Sequence, residues 1–160
     1  MKILGIDPGS RLTGWGVVAH DRHASTHVAS GTIRLPERQP LAERLVLLSD
    51  ALQQVLRDHA PDACALEQIF TARNARSALV LGHARGVILC EVMRAAVPVY
   101  EYTPTQIKQA VVGYGRADKA QMQQMVALLL NRKPAPQEDE ADALAAALTH
   151  AAMSKWMEHA

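Results

Sequence analysis

A chain of 160 residues with a formal net charge of +1 and 49% hydrophobic residues can bury a sizeable core, and residues 1–160 are read as one domain. It has no apolar run long enough to cross a membrane and no secretory pattern at its N-terminus, which argues against a membrane partner and predicts a soluble, cytoplasmic protein. Its two cysteines, Cys64 and Cys90, have neither zinc spacing nor a disulfide-framework pattern, and both are read as reduced core residues.

In chain order, residues 2–7, 13–19 and 26–34 predict three strands joined by tight turns in an antiparallel meander, with Gly14 and Gly16 allowing close backbone packing. His20, His23 and His27 fall in the polar part of this meander and are read as solvated rather than metal-ligating. Leu41, Leu45, Leu48, Leu52, Val55 and Leu56 recur at helical spacing, so 41–59 is an amphipathic helix ended by Pro61. A buried strand over 63–67, a helix over 77–95 and a strand over 97–102 follow. Thr103-Pro104-Thr105-Gln106 is a capping box with proline at the first helical position, opening a helix over 104–112. Asp118 with Gln121 is a weaker example opening 119–130. Pro134 and Pro136 break the chain before a last helix over 138–156. Hairpin strands followed by helix-strand alternation predict an α/β fold: a mixed five-stranded sheet with helices on both faces.

Four acids stand where these elements meet solvent. Asp7 closes the apolar run Lys-Ile-Leu-Gly-Ile just before Pro8-Gly9, and Glu67 closes Ala63-Cys64-Ala65-Leu66 in the same way. Asp139 and Asp142, three residues apart, share one helix face. Taken singly, each has a plain structural role open to it: a turn cap, a solvated strand end, or a favourable charge at a helix N-terminus. Asp142 resists that role, because it lies among Ala141, Ala143, Leu144, Ala145 and Ala146, where an unpaired carboxylate is costly to desolvate. Carboxylates without thiols suit hard cations such as Mg²⁺ or Mn²⁺, and two such ions about 4 Å apart form the clamp used in phosphodiester cleavage. In a sheet with the first and fourth strands adjacent, the last helix brings all four acids together as catalytic and metal-binding candidates. Asp7, nearest the centre, is the candidate bridging ligand. Crowded acids of this kind gain proton affinity unless cations bind.

Charge is distributed unevenly along the chain. Residues 70–133 carry nine Lys or Arg against three acids, whereas the segment from Pro134 carries five acids and one lysine. A basic middle beside an acidic metal site suits a polyanion. Arg94 and Arg132 are read as ordinary solvated cations.

Gly5-Ile6-Asp7-Pro8-Gly9-Ser10, Leu66-Glu67-Gln68-Ile69-Phe70, Gly82-His83-Ala84-Arg85-Gly86, Val111-Val112-Gly113 and Asp139-Glu140-Ala141-Asp142-Ala143-Leu144 come in an order and at a spacing that resemble the RuvC family of bacterial Holliday junction resolvases. The resemblance spans nearly the whole chain. It implies a ribonuclease-H-like fold, two divalent ions per subunit, four-way junction DNA as substrate, nicks with 5′-phosphate and 3′-hydroxyl ends, and a RuvA–RuvB branch-migration complex as partner. It also places Lys108 and Lys119 at the family's phosphate-contacting positions, and Lys119 opens a helix, where backbone N–H groups add to its pull. Phe70, flanked by Arg73, Asn74 and Arg76, suits stacking on an unpaired base, with a core anchor as its other reading. Tyr114 and Arg116, in a glycine-flanked loop, are further DNA-contact candidates. A nuclease of the same fold that processes structured RNA is the competing reading. An actin-like or sugar-kinase ATPase is a further rival that the length argues against, since that fold needs two domains, and ATP binding by the purified chain would revive it.

The helix over 77–95 is apolar around most of its circumference, whereas one sheet covers only one side of a helix. The second cover is expected to be another copy of the chain, in a two-fold homodimer with Gly82 and Gly86 allowing close approach, with the chain's own C-terminal helices as the other reading.

Overall fold

The computed structural model describes residues 1–21, 24–68 and 75–157, the backbone alone from 155 onward. Its elements in order are β1 (Lys2–Asp7), β2 (Leu12–His20), β3 (Ser25–Arg34), α1 (Leu41–His59), β4 (Ala63–Glu67), α2 (Ala75–Arg94), β5 (Val99–Tyr102), α3 (Pro104–Val112), α4 (Lys119–Leu129) and α5 (Glu138–Met157). One sheet runs in the order β3-β2-β1-β4-β5, antiparallel from β3 to β1 and parallel from β1 to β5.

Alternation along the strands sorts the side chains into two cores. Leu4, Ile6, Val17, Cys64 and Leu66 pack with α1 and α2 through Leu48, Leu52, Ile88 and Val92. Ile3, Val18 and Ala65 face the opposite way, toward α3, α4 and α5 through Ile107, Val126 and Leu144. Glycine decides how closely α5 approaches. A Cβ at Gly5 would stand 1.8 Å from the Ala143 carbonyl oxygen, and one at Gly14 would stand 2.0 Å from that of Asp139. With Ala143, Ala145, Ala146 and Ala147 buried on the helix side, backbone rests almost directly on backbone.

Both helix starts carry reciprocal caps, Thr103 with Gln106 and Asp118 with Gln121, so the second box is as complete as the first. α2 begins two residues before the predicted 77. β5 begins at Val99 rather than 97, because Val97 N–H bonds back to Val92, Ala96 turns with φ 57, and Pro98 has no N–H to give the ladder. Cys64 is buried as expected, but Cys90 is exposed: it lies on the side of α2 turned away from the sheet. His20 and His27 are half-buried rather than solvated, bonded to Ser25 Oγ at 2.8 Å and Ser30 Oγ at 3.0 Å, and His23 lies outside the described residues. No helix among the described residues is long and apolar enough to cross a membrane.

Candidate active site

Asp7 and Glu67 occupy the last positions of neighbouring parallel strands, and alternation turns both toward the face that α5 covers. Asp139 and Asp142 lie in the first turns of α5. The Gly14 contact with the Asp139 carbonyl fixes that end of the helix directly over the partner position of Asp7 in β2.

The acids share one electrostatic field. Asp7 is pushed up from 3.8 to about 8, first by burial and then by Asp142, Glu67 and Asp139, with Lys119 acting against them. Burial and Asp142 hold Glu67 above the usual carboxylate range, and Lys108 and Lys119 oppose this. Asp142 is also raised by burial, and Asp139 adds to that shift. Among the described residues the acids are not already drawn into a cage of three or more metal donors.

A cleft of about 430 Å³ opens beside these acids, lined by Glu67 and Asp142 and by Lys108 and Lys119 from α3 and α4. Lys119 forms an ion pair with Glu138 at the surface, which holds its ammonium at the N-terminal end of α5. Carboxylates on one wall and ammoniums on the other can take a phosphodiester together with the hard cations that make it reactive.

The structure thus brings together Asp7, Glu67, Asp139, Asp142, Lys108 and Lys119. Tyr114 and Arg116 are exposed in the turn between α3 and α4, outside the cleft lining, and Arg76 is exposed at the start of α2. Phe70, Arg73 and Asn74 lie outside the described residues.

Two supporting residues were not assigned a place at the site from sequence. Arg85 on α2 donates from Nη1 to the Glu67 carbonyl at 2.9 Å and pairs with Glu101 on β5, which fixes the end of β4. Arg132, read as a solvated cation, is instead largely covered: it donates to Glu140 at 2.9 Å and to Ser30 at 2.8 Å, tying the first turn of α5 to β3. Arg94 does extend into solvent, and it contacts the buried Glu91, which also receives Ser49 and Gln53 from α1. Arg85 lies in the Gly82–Gly86 motif, but nothing in the sequence names its partners, which come from β4 and β5, the strands on either side of α2.

Residues 3–150 match the family model described as crossover junction endodeoxyribonuclease RuvC. The chain is 54% identical over 149 residues to the RuvC of Alkalilimnicola ehrlichii, covering 93% of this chain and 90% of that one. It is 52% identical over 151 residues to the RuvC of Syntrophotalea carbinolica, covering 94% of each. Among solved structures it resembles Thermus thermophilus RuvC in complex with a Holliday junction substrate, at TM-score 0.93 and 36% identity over 98% of this chain and 96% of that one. A yeast mitochondrial Holliday junction resolvase, at TM-score 0.71 and 15% identity over 98% of this chain and 80% of that one, shares the fold. With a family model matched over nearly its whole length and relatives more than half identical, the chain belongs to the RuvC family of crossover junction endodeoxyribonucleases.

Proposed function

We propose that this chain resolves four-way DNA junctions as a two-fold homodimer, nicking two strands of like polarity symmetrically and leaving 5′-phosphate and 3′-hydroxyl ends. Crossover junction cleavage is the activity for which its RuvC relatives are named, and those names do not favour the structured-RNA reading. The observation that carries the proposal is the pairing of coupled acids on β1, β4 and α5 with Lys108 and Lys119 across one cleft.

Nucleases of this family depend on divalent metal. The donor set fits such an ion, since it is all carboxylate, and the burial and neighbouring negative charge that raise Asp7 to about 8 are what a cation relieves. Asp7, Glu67, Asp139 and Asp142 would hold two ions per subunit, Mg²⁺ or Mn²⁺. When bound, such ions make a water nucleophilic and stabilise charge on the leaving 3′ oxygen. The chain itself does the positioning. Lys108 and Lys119 hold phosphates beside the scissile one, and Arg85 and Arg132 keep the acid-bearing backbone in place. Phe70, Arg73, Asn74, Arg76, Tyr114 and Arg116 are the candidate contacts to the junction arms and its unpaired bases.

The dimer reading is supported by α2. Ala84, Ile88 and Val92 serve its own core, whereas Leu79 is 64% and Met93 60% exposed. Gly82 and Gly86 have open space where a Cβ would be. A groove of about 750 Å³ runs along this face between α1 and α2, lined by Leu45, Val46, Ala78, Leu79, Val87 and Cys90. A second copy seated there would relate two acid sites by the junction's own two-fold symmetry. A RuvA–RuvB branch-migration complex is the partner we expect to deliver the junction.

A plasmid that extrudes a cruciform tests the pairing of cuts. Coordinated nicking linearises it; persistent open circles at all times would contradict the proposed dimeric mechanism.

A further inference from the structure

Three residues beyond Asp7 the chain passes a second cleft, of about 380 Å³, between α1, the start of α2 and the β1–β2 turn. Its lining includes Ser10, Arg11, Arg44, Arg76, Ser77 and Glu37. Arg44 is unusual among them. It is only 9% exposed, it donates from Nη2 to the Ser10 carbonyl, and its Nε has no hydrogen-bond partner among the described residues. A guanidinium taken out of water is normally surrounded by acceptors, because an uncompensated buried cation is strongly disfavoured. The acid in this lining, Glu37, is already engaged by Arg11 at 2.6 Å on the surface. Three arginines against one carboxylate leave a positive excess around the buried fork.

The position of the cleft indicates which anion it takes. Ser10 follows the strand that ends in Asp7, and Arg76 and Ser77 open the helix that follows the loop after Glu67. The arginine cleft therefore lies at the same end of the sheet as the acids but on the opposite face, the one covered by α1 and α2. A nucleic-acid strand that crossed this end of the sheet would pass both the acids and the arginines.

We propose that this cleft is a second phosphate-binding subsite, in which Arg44, Arg76 and Arg11 hold a backbone phosphate of the junction strand that flanks the scissile one. The planar fork of arginine matches phosphate oxygens two at a time, and a phosphate seated there fixes which linkage lies on the acids. The subsite sets cleavage register, and it rests on the junction-resolving function proposed above.

A phosphate walk tests it. In the Asp7→Asn protein, which holds the junction uncut, each phosphate near the crossover is replaced in turn by a neutral methylphosphonate. One flanking position should cost about tenfold in affinity, as loss of a charge-assisted contact does. Added Arg76→Ala or Arg44→Lys should abolish the response at that position and leave the others unchanged. If Arg44→Lys melts early, Arg76→Ala alone carries the expectation, since Arg76 is exposed. An interference pattern identical in wild-type-cleft and variant proteins, or no sensitive flanking position, overturns the subsite while junction binding stands; a cleft that takes only free phosphate gives this result. Asp7→Asn protein that prefers linear duplex to a four-way junction overturns the proposed function, and the subsite with it.

Discussion

Asp7 couples the site to pH. An acid whose folded pKa is raised from 3.8 to about 8 binds more protons folded than unfolded between those values. Its contribution to stability is therefore present below about pH 4 and is lost as pH rises toward 8. In metal-free protein, Asp7→Asn should raise the melting temperature above wild type at about pH 9 and leave it unchanged at about pH 4, a difference read by thermal melts. Equal melts at both ends would show that Asp7 is not strained. Binding of Mg²⁺ near neutral pH should release a proton, visible by calorimetry in buffers of different ionisation heat. Asp7→Asn, Glu67→Gln, Asp139→Asn and Asp142→Asn should each abolish cleavage and leave junction binding intact or tighter, because the charge removed serves metal rather than DNA; near wild-type cutting by any one removes that residue from the site. Lys108→Ala and Lys119→Ala should each lower the salt slope of binding by about one, and an unchanged slope would exclude a phosphate contact. Asp7 and Glu67 stood out in the sequence because each ends an apolar run and Asp142 because it interrupts one, whereas Asp139, between Glu138 and Glu140, was singled out only by its helical spacing from Asp142. Arg85 and Arg132 did not stand out, because a surface arginine and a positioning arginine look alike until the fold supplies Glu67, Glu101, Ser30 and Glu140 as partners.

At the scale of elements, the placement of α5 decides whether the acids meet. Overpacking a tight contact costs about 1–3 kcal/mol or more when the obstacle is backbone. Gly14→Ala would meet the Asp139 carbonyl at 2.0 Å, so it should lower the melting temperature and depress cleavage, with the helix lifted just where Asp139 leaves it. A Gly14→Ala protein as active and stable as wild type would mean that α5 has slack. Cleavage should also fall in Arg132→Ala, which loosens the same turn from β3. Helices and strands were readable nearly residue by residue where a period of two or a leucine stripe was uninterrupted, as in β1 and α1, and where Thr103 or Asp118 announced a cap. The close packing of α5 was foreshadowed by Gly14 and Gly16. The placement of Cys90 was not, because α2 is apolar on two sides and its sequence does not say which side meets the sheet.

For the whole molecule, the exposed side of α2 defines how a dimer is tested. Ile88 is fully buried in the chain's own core, so a charge there would unfold the protomer rather than separate two copies. Leu79, 64% exposed, is the better probe. Leu79→Arg should leave the fold and melting temperature intact, turn a light-scattering dimer into a monomer, and replace linear cruciform product by open circles. A wild-type chain that stays monomeric even on junction DNA would end the two-fold model. Substrate choice and metal dependence are tested together on one gel. Purified chain is incubated with a four-way junction, a linear duplex and a structured RNA, each with Mg²⁺ and with chelator. Ligatable nicks in the junction alone, and only with Mg²⁺, are the predicted result; cutting of linear duplex or RNA as readily as the junction, or cutting in chelator, would contradict it.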